Sequence, residues 1–103
     1  DGLDPVFLNR TTIALFTTMA NATQSSRALG WDTNYDSAKW CGGLSDRTFF
    51  HIGFTGTQFC ADPVNGLITV LLANGRYPDY HRDGLIKFRP EFNDVALGVL
   101  NKL

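Results

Sequence analysis

The sequence predicts an α+β fold, an antiparallel sheet with amphipathic helices packed on it, and three observations carry that prediction. Two stretches rich in β-branched and aromatic residues, Phe49 to Pro63 and Leu67 to Gly75, meet at "ADPVNG", whose Asp-Pro and Asn-Gly pairs are hairpin chemistry. Phe92, Val95, Ala96, Val99, Leu100 and Leu103 recur at spacings of three and four, the period of one helix face. Near the start, "NRTTIALFTTMA" places an Asn cap ahead of Ile13, Phe16 and Ala20 on one stripe, with Leu15 and Met19 beside it.

The elements follow in order. The first helix opens at the Asn9 cap and ends before "NATQSS", Asn21 to Ser26, which is polar turn chemistry. "RALGWDT" then changes character to a short extended segment ending near Thr33. From Asn34 to Asp46 the chain is loop-like around the pair Gly42-Gly43, with Tyr35 and Trp40 expected as anchors beneath the loop. "LITVLLANG", Leu67 to Gly75, is almost wholly apolar and is expected to be a strand buried on both faces. "RYPDYHRDG", Arg76 to Gly84, breaks regularity, and its polar residues Arg76, Asp79, His81 and Arg82 read as a solvated loop. Pro90 is expected as the first residue of the terminal helix, a position where its missing N–H costs nothing.

The chain has 103 residues, 44% hydrophobic and 18% charged, with a formal net charge of -1, which fits a single globular domain. A near-neutral chain without a Lys/Arg run excludes an electrostatic footprint for nucleic acid. No apolar run approaches the roughly 20 residues of a membrane span. The chain begins at Asp1 and its single Met is Met19, so a processed, trimmed or partial polypeptide is expected. Two predicted strands, one weaker strand and two helices form a small sheet, and further strands are expected from another segment or another chain.

Cys41, Cys60, His51 and His81 form no C-x-x-C or H-x-x-x-H pair, so no metal site and no cofactor is expected. A Cys41–Cys60 disulfide is one possibility. The alternative, which the apolar neighbours Phe59 and Ala61 favour, is that Cys60 is a small buried apolar side chain.

The most informative stretch is "FFHIGFTGTQFCADP". It reads as strand on both flanks yet carries Gly53 and Gly56, and glycine inside a strand marks a bulge or a close approach of ligand or backbone. A strand ending in His51-Ile52-Gly53 can present backbone N–H groups to a developing oxyanion, with His51 to donate or accept a proton. The plainer reading of a lone His on a strand is a structural one. No G-x-S-x-G occurs, and around Ser37 the Lys lies two residues on, not three.

The order of these segments resembles the carboxy-terminal part of the β-lactamase and penicillin-binding-protein type of serine hydrolase, and within it the class C β-lactamase, esterase and D-aminopeptidase branch. There a Gly-Trp strand like "LGW" precedes a strand bearing Lys or His, a hydroxyl residue and Gly; a hairpin and a "VLLxN" strand follow, and a last helix packs back on the sheet. The resemblance runs from about Leu8 to the end and implies that residues 1–103 are the carboxy-terminal portion of one partial β-lactamase/transpeptidase-like domain. It implies an ester, amide or β-lactam carbonyl as target, in a small-molecule or peptide-like acyl substrate. His51 takes the place of the cationic or proton-bearing residue, and the Phe54 N–H that of an oxyanion-hole donor. Ile52, Gly53, Thr55 and Gly56 would line the substrate. Two departures stand out. Ile52 occupies the hydroxyl position, and neither Ser-x-x-Lys nor Tyr-x-Asn occurs in the chain. The nucleophile is accordingly expected on a segment or partner chain that completes the sheet, and this chain alone is expected to be inactive. The other reading is a non-catalytic homologue that serves as a structural or assembly subunit.

Overall fold

The computed structural model describes residues 7–35, 38–80 and 82–103. Ser37 and His81 therefore lie outside the described residues. The elements run α1 (Arg10–Thr17), β1 (Asp32–Thr33), β2 (Phe49–Ile52), β3 (Gln58–Asp62), β4 (Leu67–Leu71) and α2 (Arg82–Leu100). The four strands form one sheet in sequence order, every neighbour antiparallel, β2 to β4 joined by short turns and β1 to β2 by the 34–48 loop.

Asn9 caps α1, its side-chain oxygen accepting the Thr12 N–H at 2.8 Å. No residue of α1 is buried, so its apolar stripe is left open. Asn21 orders the following turn by accepting from the N–H and the hydroxyl of Thr23.

Strand alternation divides the sheet into two faces. Phe50, Cys60 and Thr69 lie abreast and face α2, while His51, Phe59 and Val70 lie abreast on the outer face. On the α2 side, Cys41 reaches over from the 34–48 loop and is joined to Cys60 by a disulfide, Cα to Cα 6.3 Å. This decides the open question of Cys60 in favour of the bridge. Cys41, Leu44, Phe50 and Cys60 make the apolar core, with Trp40, Leu67 and Leu97 packed against it.

The loop is tied down by polar groups. Asn34 is fully buried; its amide donates to the carbonyls of Gly42 and Leu44 and its oxygen accepts from the Cys41 N–H. Gly43 N–H donates to Asp94 of α2 at 2.6 Å. At Gly42 the backbone has φ +57°, and an added Cβ would stand 2.5 Å from the Pro90 carbonyl oxygen, so only glycine lets loop and helix approach this closely. Trp40 is half-buried as expected, but Tyr35 is exposed and anchors nothing.

Three expectations need correction. β4 is not buried on both faces: Thr69 points under α2, whereas Ile68 and Val70 stand exposed on the outer side. Apolar composition marked the strand, but burial depends on what covers each face. Helix α2 begins at Arg82, eight residues before Pro90, which sits inside it. Leu85, Arg89 and Asn93 recur at i, i+4, i+8 and extend the helical period upstream of the proline. The inward face is also different from the predicted apolar stripe. Arg89 and Asn93 are the buried residues of α2, while Val95 and Val99 are exposed about a third of a turn away and Leu103 lies beyond the helix end.

A polar relay replaces the expected apolar contact. Asn93 donates to Gln58 at 2.9 Å and accepts from the Thr69 hydroxyl at 2.5 Å. Gln58 donates in turn to the Trp40 carbonyl at 2.8 Å. Loop, β3, β4 and α2 are thus joined through four side and main chains whose buried polar atoms satisfy each other.

Candidate active site

The stretch from Phe49 to Pro63 is not one strand but the β2–β3 hairpin, and the two glycines belong to its connection. Gly53 N–H donates to Thr57 O at 2.8 Å and Gly56 N–H to Gly53 O at 3.0 Å, closing a tight loop. Gly75 N–H then donates to Thr55 O at 2.7 Å, which pins the loop to the chain leaving β4. Gly56 has φ +108° and is buried, with an added Cβ only 2.6 Å from a Leu85 methyl. A side chain there would both strain the backbone and lift the loop from α2.

Around this loop the predicted residues separate. Ile52 faces the α2 side and is partly exposed, while His51 is exposed on the outer face opposite Phe59. The His51 ring Nδ1 lies 2.8 Å from the Ile52 carbonyl. A carbonyl oxygen only accepts, so Nδ1 carries the proton of this contact. Phe54 forms the tip of the loop with its ring exposed, and its N–H has no hydrogen-bond acceptor among the described residues. Thr55 is half-buried and its carbonyl is engaged by Gly75. Gly53 lies between the two sides and lines a recess on each, one with His51 and one with Ile52 and Phe54.

Arg76 holds the tip. Its guanidinium lies 3.6 Å from the Phe54 ring centre and 3.8 Å from that of Tyr80, and its Nε donates to the Phe54 carbonyl at 2.9 Å. The "solvated" cluster after β4 is therefore a clamp at this position. The recess beneath it, about 380 Å³, is also lined by Trp40 and Arg89. Arg89 went unnoticed in the sequence; the signal was a cation at the centre of the Leu85–Arg89–Asn93 stripe, where an apolar residue is the rule.

A family model described as Beta-lactamase matches residues 8–89. The chain belongs to the beta-lactamase family. The match covers most of the chain, begins where the resemblance of motifs begins and takes in the whole sheet, the hairpin loop and the first half of α2. Neither a curated protein nor a solved structure matches the chain. The α+β architecture, a four-stranded antiparallel sheet with two helices, accords with that membership. Among the described residues no group of His, Cys, Asp and Glu has the arrangement of a metal site. No helix among them is long and apolar enough to cross a membrane.

Proposed function

We propose that this chain is the carboxy-terminal portion of a β-lactamase-related serine hydrolase, in the esterase, class C and D-aminopeptidase branch, that cleaves an ester, amide or β-lactam carbonyl through an acyl-enzyme. The observation that carries the proposal is the unengaged N–H of Phe54 in the loop that ends the His51-Ile52-Gly53 strand. A serine hydroxyl on a completing segment or chain, one bearing Ser-x-x-Lys, attacks the substrate carbonyl carbon and gives its proton to the lysine amine of that motif. The negative oxygen that forms accepts the Phe54 N–H. His51 orients the substrate and assists proton transfer to the leaving oxygen or nitrogen as the bond to it breaks. Water then attacks the acyl-enzyme by the same geometry, releasing the acid and restoring the serine.

Hydrogen-bond donation to the oxyanion strengthens as charge develops, and removal of one such donor costs about 3 to 4 kcal/mol. Gly53 serves the loop rather than an opening for substrate, because a Cβ there would collide with the Thr57 hydroxyl. Thr55 and Gly56 act in this scheme through the loop they build. Ile52 supports a second reading, a non-catalytic homologue acting as an assembly subunit, since it removes a hydroxyl where substrate would be held.

Labelling of the complete assembly with a fluorophosphonate or a penicillin probe decides between them. The hydrolase reading requires covalent labelling on a serine of the completing segment. Labelling should fall roughly a hundredfold in Phe54→Pro, which deletes the N–H. An assembly that stays unlabelled with both probes leaves the non-catalytic reading in place. Intact mass of material from the natural source, with any tightly associated chain, shows where Ser-x-x-Lys resides.

A further inference from the structure

Arg89 presents an unsolved charge. It is 5% exposed, its Nε makes no hydrogen bond among the described residues, and its one hydrogen bond among them, from Nη2 to the Thr57 carbonyl, is long at 3.5 Å. Its guanidinium carbon stands 5.9 Å from the Trp40 ring centre. Among the described residues it has no carboxylate partner, and none of those lining the recess is acidic. A buried cation left unpaired is costly, and buried charges are found paired. Burial accordingly lowers the Arg89 pKa, with the Tyr80 phenol acting the other way.

The surroundings specify what would pair it. The recess carries a second guanidinium, Arg76, and a third at the rim, Arg82, so its potential is positive. The remaining wall is apolar and aromatic, including Trp40, Leu85 and Ile86. A compact, strongly hydrated anion would gain the charge but waste that wall; a neutral apolar molecule would fill the wall but leave Arg89 unpaired. We propose that this recess binds a carboxylate carried on an apolar group, the carboxylate meeting the Arg89 and Arg76 guanidinium groups and the apolar body lying against Trp40 and Leu85. The planar guanidinium fork matches carboxylate geometry, which a lysine ammonium cannot do. Ile52, Gly53 and Phe54 also line this recess, so the site adjoins the hairpin end of the proposed function; benzoate binding in a chain whose complete assembly fails to label on serine would leave the anion site standing by itself.

Titration of the chain with sodium benzoate, followed by the indole N–H resonances of its two tryptophans, tests the proposal. Trp40 lines the recess and Trp31 packs against Phe49 and Phe59 on the outer face, so the expected result is a saturable shift of Trp40 with Trp31 unmoved. Benzamide, the neutral counterpart, and inorganic phosphate, the compact anion, should each bind at least about tenfold more weakly. Arg89→Lys keeps the charge but loses the fork, and Arg76→Ala removes the second cation from a partly exposed position; each should weaken benzoate about tenfold with the fold intact by near-ultraviolet circular dichroism. The proposal is overturned by an absence of saturation in the millimolar range, by benzamide or phosphate binding as tightly as benzoate, or by unchanged affinity in both variants.

Discussion

The two faces of the sheet are built on opposite terms. Toward α2, the buried residues are largely polar, namely Gln58, Thr69, Asn93 and Asn34, held by mutual hydrogen bonds and one disulfide around a small apolar cluster. On the outer face the residues are largely apolar, with Trp31 edge-on to Phe49 and against Phe59, and Ile68 and Val70 exposed beside them. Hydrophobicity thus fails to locate the interior of this chain. On the polar side Asn34, Gln58, Thr69 and Asn93 find partners, Arg89 Nε and the Thr48 hydroxyl being the exceptions among the described residues, whereas the apolar side is a surface of the kind that another segment or subunit covers.

That contrast can be broken most sharply at the disulfide. Replacing both Cys41 and Cys60 by Ala reopens a 19-residue separation and should destabilise the chain by about 3 kcal/mol in urea unfolding. An equal stability with and without the bridge would show that the α2 face holds by packing alone. Next comes the relay. Asn93→Ala leaves the Gln58 oxygen and the Thr69 hydroxyl without their partner and should cost about 2 to 3 kcal/mol.

Acid should act on the same side. Asp62 is buried, and burial by itself raises its pKa, but hydrogen bonds from Ser45 and Asn65 outweigh that and bring it down to about 2. A carboxyl whose pKa is lower folded than unfolded contributes stability above its unfolded value, and that contribution is lost as pH falls. The expected loss is about 2 kcal/mol between about pH 4 and pH 2, absent in Asp62→Asn. The smallest effect belongs to the outer face, where Val70→Thr should change stability by under about 0.5 kcal/mol. A loss as large as that of Asn93→Ala would mean that this face is already covered in solution by a second copy.

The hairpin loop illustrates how far the residues could be read in advance. Gly53 and Gly56 signalled a place that a regular strand could not occupy, and the loop between β2 and β3 is that place. Strand alternation put His51 and Ile52 on opposite faces, but nothing in the stretch announced which of them would look toward α2, because the side of a strand that is covered is set by its neighbours. Pro90 misled for a related reason: proline at a helix start is the common case, and only the contact of Leu85 with the Gly56 loop shows the helix already formed before it.

What the sequence by itself determined is what short-range chemistry controls: the Asn9 cap, the turns at Asn21 and Asp62, the strands at Phe49, Phe59 and Leu67, and the motif order that marks the beta-lactamase family. These depend on period and turn residues within a few positions. Tertiary structure alone decided the Cys41–Cys60 bridge, the polar relay from Trp40 to Thr69, the Arg76 clamp on Phe54 and the burial of Arg89 with no counter-charge among the described residues. Each of those joins residues from separate elements, and whether a charge or a thiol finds a partner is settled only when the chain has brought them together.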